Sequence, residues 1–101
     1  MREFLVEISL HGLENMERGE LDALRRAEAA RAAELAADGT LVRLWRTHKP
    51  GWRNVGLWRA SSEEQLRATI SSLPLAPYMV VVCKPLLKHP NDPRPVSRTA
   101  P

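Results

Sequence analysis

One cysteine, Cys83, stands in a chain of 101 residues. No intramolecular disulfide can form, and no thiolate cluster can hold a metal. Cys83 falls in an apolar run, where a buried and inert thiol is expected. Long hydrophobic runs are also missing. No stretch approaches the roughly 20 apolar residues that span a bilayer. The first residues alternate charged and apolar types, unlike a secretory signal. The expectation is a soluble, cytoplasmic protein with no membrane partner. Runs of like charge are absent too, and the net charge is only +3. So mild an excess is weak evidence for nucleic acid but could favour a small anionic ligand.

What is present is an ordinary globular mix, 44% hydrophobic and 27% charged, which suits one domain with a modest core. Association with other copies would help to stabilise so small a core. Phe4, Val6, Ile8 and Leu10 alternate with Glu3, Leu5, Glu7 and Ser9, the period of a strand with one face on a core. Glu20 to Asp38 reads as a long helix, rich in Ala, Leu, Glu and Arg and closed by Gly39. Leu21, Leu24 and Leu35 share one side of it, and Glu28 and Arg31 fall among them. Either Glu28 pairs with Arg31 at the stripe's edge, or it is a carboxylate held in an apolar pocket with a raised pKa, as a general base requires. The pattern leaves both open. Ala23, Ala27, Ala30 and Ala37 line the opposite side.

Thr40 to Thr47 and Asn54 to Ala60 read as two strands of a hairpin around a Pro50-Gly51 turn. Strict alternation places Leu41, Arg43, Trp45 and Thr47 on one face and Val42, Leu44, Arg46 and His48 on the other. The loop carries His48, Lys49, Trp52 and Arg53, either as a solvated tip or as binding groups on a rigid scaffold. Ser61 and Glu64 have the spacing of a capping box for a second helix, with Leu66, Ile70 and Leu73 as its apolar stripe. Pro74 and Pro77 stop that helix and set Tyr78 at the mouth of a run, Met79 to about Cys83, that reads as a buried central strand. After Pro85 the prolines allow no regular element. The division expected is a domain over 1–87 and a tail over 88–101. The order β-α-β-β-α-β is the ferredoxin-like α+β pattern: a four-stranded antiparallel sheet with both helices on one face. Trp45, Trp58 and the apolar strand residues make a bare second face unfavourable, and a second copy of the chain is the simplest cover.

Four stretches, GTLVRLWR (Gly39–Arg46), PGWRNVGLW (Pro50–Trp58), SLPLAPYM (Ser72–Met79) and HPND (His89–Asp92), resemble the muconolactone Δ-isomerase family in content and order. Glu28 falls where that family has a glutamate on its first helix. Ala76, where an aromatic is common, a hairpin loop one residue shorter, and the lack of a histidine near Leu66 depart from the pattern. These differences bear on substrate more than on fold. The resemblance implies an enzyme that moves a C=C bond within an unsaturated lactone by a 1,3 proton shift, in aromatic-compound catabolism, with no metal and no cofactor. It implies Glu28, Arg46 and Tyr78 as catalytic residues. Trp45, His48, Trp52, Arg53, Asn54 and His89 would bind a small anionic lactone. It also implies a homo-oligomer built from dimers, with a decamer as one form, and a tail that reaches a neighbour. A dehalogenase or cofactor-free oxygenase of the same fold is the alternative enzyme. A ligand-binding ferredoxin-like oligomer is the non-enzymatic one. The aromatic motif of RNA-binding versions is missing from the first and third strands.

Overall fold

Alternation in the first strand decides the architecture. Phe4, Val6 and Ile8 of β1 (Arg2–Leu10) are buried, whereas Glu3, Leu5, Glu7 and Ser9 face the other way. The computed structural model describes residues 1–93 and places β1 between β3 (Arg53–Ala60) and β4 (Met79–Leu86), with β2 (Leu41–Arg46) outside β3. All three pairings are antiparallel, in the order β2-β3-β1-β4. Helices α1 (Arg18–Ala37) and α2 (Glu63–Ser71) complete the ferredoxin-like order expected from the sequence. Phe4, Val6, Ile8 and Trp58 from the sheet, Leu35 from α1 and Leu66 and Ile70 from α2 form one core, so both helices cover the same face.

Helix boundaries differ from the expectation by one or two residues, for local reasons. Glu17 caps α1: its carboxylate accepts from the Gly19 and Glu20 N–H groups, which satisfies two otherwise free donors. Gly39, at φ +85°, ends the helix. The second capping box is shifted by one residue. Ser62 accepts from the Gln65 N–H, and Gln65 Oε1 reaches back to the Ser61 N–H.

Two strand expectations are corrected. The register shifts between Leu41 and Arg43, a bulge that puts Leu41, Leu44 and Arg46 opposite Trp58, Gly56 and Asn54 on the helix-covered face. Strict alternation therefore fails in β2, and Arg43 and Trp45 point to the open face. Strand β4 is an edge strand, not a central one. Its Val81 and Cys83 face the core, but Val80 and Val82 are 55% and 46% exposed on the open face. Pro85, which has no N–H to give, is tolerated at this edge. Trp58 belongs to the core and contributes nothing to the open face, which carries Leu5, Val55, Leu57 and Trp45 instead. Ion pairs Glu3–Arg59 (3.2 Å) and Glu7–Lys84 (3.0 Å) span its strands.

Cys83 is half-buried, and burial pushes its thiol pKa up, as an inert thiol requires. No helix among the described residues is long and apolar enough to cross a membrane.

Gly56 is the tightest point of the sheet. A Cβ there would lie 2.6 Å from Trp58 Nε1 and 3.2 Å from Leu44 Cδ1, so the indole occupies the space that a side chain would need. Gly56→Ala should push the Trp58 ring into a filled core and lower stability by about 1–3 kcal/mol, the usual cost of overpacking. Urea unfolding measures this, and an unchanged midpoint would show that the ring yields freely.

Candidate active site

Helix α1 is pinned to the sheet at two places. Near its start, the Arg25 guanidinium stacks 4.9 Å over the Trp52 ring. Near its end, Leu35 enters the core cluster with Leu41 and Trp58. Glu28 lies between, about 4.5 Å beyond Arg25 along the axis and about 10.5 Å before Leu35 at the helical rise.

Its partner comes from the proline stretch. The N–H of buried Leu75 donates to Glu28 Oε1 at 2.9 Å. The carboxyl is half-buried, and desolvation raises its pKa above the ordinary 4.5; the Leu75 N–H pulls partly the other way. Arg31 makes no pair with Glu28. It binds Glu34 at 3.1 Å and the Ser72 hydroxyl at 3.3 Å, so the counterion offered by the sequence is directed elsewhere. Glu28 is thus a carboxylate restrained by one amide rather than neutralised by a cation.

A cleft of about 740 Å³ opens around the end of the β2–β3 hairpin. Among the described residues four cations line the cleft, Arg25, Arg46, Lys49 and Arg53, and no carboxylate does. Trp45, Trp52 and Leu44 supply apolar surface, and Asn54 and Thr47 polar ends. Glu28 is not among its lining residues; it lies three residues, just under one helical turn, from Arg25 on α1. Thr47 Oγ1 and Asn54 Oδ1 are buried without a hydrogen-bond partner, a cost that a bound polar group would remove.

The expected residues fall into three places. Arg46, Trp45, Trp52, Arg53 and Asn54 meet in the cleft. His48 lines a second concavity, of about 590 Å³, with Glu7, Ser9 and Val80. Tyr78 ends a 3-10 turn (Ala76–Tyr78) with its ring against Gly12, and its carbonyl accepts from the His11 N–H; it is not part of the cleft lining. His89 sits beyond β4 with Met1 and Arg2, at the opposite end of β1 from Trp52, and its Nδ1 accepts from the Asn91 N–H. Within one chain His89 cannot reach the cleft. Arg25, Leu44 and Thr47 were not anticipated. Arg25 was findable, because three residues before Glu28 is the same side of a helix. Among the described residues no group of three or more His, Cys, Asp or Glu side chains is placed to hold a metal ion.

The sequence profile of the muconolactone delta-isomerase family matches residues 2–92. The chain belongs to this family. It is 30% identical over 89 residues to the muconolactone Delta-isomerase of Cupriavidus pinatubonensis, covering 88% of this chain and 96% of that one. It is 28% identical over 91 residues to the enzyme of the same name from Acinetobacter baylyi, covering 90% and 94%. A crystal structure of muconolactone isomerase superposes with a TM-score of 0.81 at 28% identity, covering 95% of this chain and 99% of that one. The family is one of isomerases, and its fold is the fold found here.

The Glu28–Leu75 contact separates two substitutions. A carboxyl whose folded pKa is raised contributes most stability below its unfolded pKa and loses that contribution as pH rises through the folded value. At neutral pH the Glu28 charge therefore opposes folding. Glu28→Gln keeps an acceptor for Leu75 and should melt at or above the wild type at pH 7, with the gap closing as pH falls below 4.5. Glu28→Ala strands a buried N–H and should cost about 1–3 kcal/mol. Thermal melts across pH measure both; equal melting of the two variants would show that the Leu75 bond is idle.

Proposed function

We propose that this protein is a lactone isomerase acting on muconolactone or a close relative, in the catabolism of aromatic compounds in the cytoplasm. The observation that carries this reading is the half-buried Glu28 carboxylate, held by the Leu75 N–H three residues along the helix from Arg25, which lines a cleft of cations. Family membership and the names of the relatives support the reaction class.

In the proposed reaction Glu28 removes the proton from the ring carbon that bears the carboxymethyl arm. The C–H electron pair forms the new C=C bond, and the old double-bond pair moves onto the lactone carbonyl as a dienolate. The Glu28 carboxylic acid then returns its proton to the carbon next to the carbonyl. No electrons are gained or lost overall. A carboxyl with a raised pKa suits both steps, because it is a better base than an ordinary glutamate and still a competent acid. Arg46 and Arg53 attract the substrate carboxylate, with Arg25 as a third cation of the same cleft. Trp52 packs on the ring, Asn54 orients it, and Trp45 reaches the cleft from the open face. Tyr78 positions the turn that presents Leu75. His89 completes the site only where a neighbouring copy brings the tail of 88–101 onto it, and His48 binds from the adjoining concavity, which shares Thr47, Lys49, Arg53 and Asn54 with the cleft. Lys88 to Pro93 is exposed and suits that role; 94–101 lies outside the described residues.

The assembly proposed is a homo-oligomer of dimers, with a decamer as one form, made by covering the open sheet face where Val80 and Val82 are exposed. Light scattering should give a mass that is a multiple of 11.4 kDa. A monomer at micromolar concentration would contradict the assembly.

Purified protein should convert muconolactone, followed by its absorbance change, without added metal or cofactor. Glu28→Gln should keep oligomer size and lose at least about a hundredfold in kcat, the scale of general acid–base catalysis. Arg46→Gln should mainly raise KM. Wild-type turnover of Glu28→Gln would move the base elsewhere, and no turnover by the wild type would remove muconolactone as the substrate.

A further inference from the structure

Among the described residues three buried polar side-chain atoms lack a partner, all on the β2–β3 hairpin. The cleft accounts for Thr47 and Asn54, which line it. The third, Trp58 Nε1, is unexplained. Trp58 is only 2% exposed, and an indole N–H can only donate. A core that needed just the bulk of this ring would be better served by phenylalanine, which strands no donor.

The position of the N–H is specific. Trp58, Gly56 and Asn54 are alternate residues of β3 and share the helix-covered face. The indole leans along the strand until Nε1 is 2.6 Å from where a Gly56 Cβ would be. This brings it towards Asn54, two residues further on, where the second unpartnered atom lies. Leu44 Cδ1, 3.2 Å from the same Gly56 point, is the indole's neighbour there, and Leu44 also lines the cleft. Leu44 is half-exposed on the outer strand, so its side chain can change rotamer within picoseconds to nanoseconds.

We propose that the Trp58 indole N–H is a specificity-determining donor, binding the ring carbonyl oxygen of the lactone in the space that Leu44 leaves when it turns aside. The carbonyl oxygen is where negative charge develops in the dienolate, so a preorganised N–H there strengthens its hold as the reaction proceeds. The Asn54 amide bounds the other end of the strip and can present either oxygen or NH2 by turning about its last bond. Gly56 is then required for the indole to lie flat against the strand. This inference rests on the lactone isomerase reading and assigns that site its carbonyl donor.

The test uses the whole protein labelled with 15N in its indoles and a saturated, unreactive lactone, (5-oxooxolan-2-yl)acetate, as probe. The Trp58 signal should move downfield at saturating probe. Replacing Trp58 by 3-benzothienylalanine, which has sulfur where the indole has N–H, should lower kcat/KM for muconolactone roughly 10- to 100-fold with an unchanged melt. Normal turnover in that variant, with an unmoved Trp58 signal in the labelled protein, would overturn this inference alone. Absence of turnover by the wild type would overturn both readings. Should the variant fail to fold, the indole signal decides by itself.

Discussion

One hydrogen bond joins the parts of this molecule that the site needs. The Leu75 N–H belongs to a turn fixed by Pro74 and Pro77, and its acceptor, Glu28 Oε1, belongs to the middle of α1. The turn cannot drift, because Leu75 and Leu73 are both buried and the Tyr78 carbonyl holds the His11 N–H. The helix cannot drift either, being held by Arg25 on Trp52 and by Leu35 in the core. Glu28 is therefore kept partly out of water by elements that are rigid for other reasons. Losing hydration raises its pKa, and a single neutral donor restrains that rise without supplying a counterion. An arginine in place of that donor would have stabilised the carboxylate and weakened it as a base.

The sheet contributes through two irregular positions. The bulge between Leu41 and Arg43 turns Leu44 and Arg46 to the helix-covered side, and without it their side chains would be on the open face. Gly56 leaves room for the Trp58 indole and keeps the strand low beneath it. The result is asymmetric: four cations at the hairpin end, one carboxyl with a raised pKa further along the helix, and little between them but apolar surface and unpaired polar atoms.

Much of this was legible in the sequence. The two periods, near two and near 3.6, placed all six main elements, and Glu28 stood out because a carboxylate in a leucine stripe needs a reason. The errors share a cause. Val80 to Cys83 is apolar on both sides, which marks a strand covered on both faces but does not say whether this chain supplies the cover; here β4 is an edge strand with one bare face. The bulge has no local signature, so strict alternation misplaced Leu41, Arg43 and Trp45. The partner of Glu28 was invisible because Leu75 is 47 residues away and donates through its backbone, which no side-chain pattern reports. Arg31 looked like that partner by spacing, yet Glu34 lies equally near on the helix surface and takes it. His89 shows the limit of reading one chain, since its motif is clear but it lies at the wrong end of the sheet for the cleft.

The central claim is that the Glu28 carboxyl, raised by burial, carries the proton between two carbons of a lactone. The pH dependence of kcat/KM for muconolactone tests it most directly, because its acid limb reports the base of the free enzyme. The account predicts activity falling as pH drops through an inflexion above 4.5, the ordinary value for a glutamate. Full activity persisting below that value would contradict it.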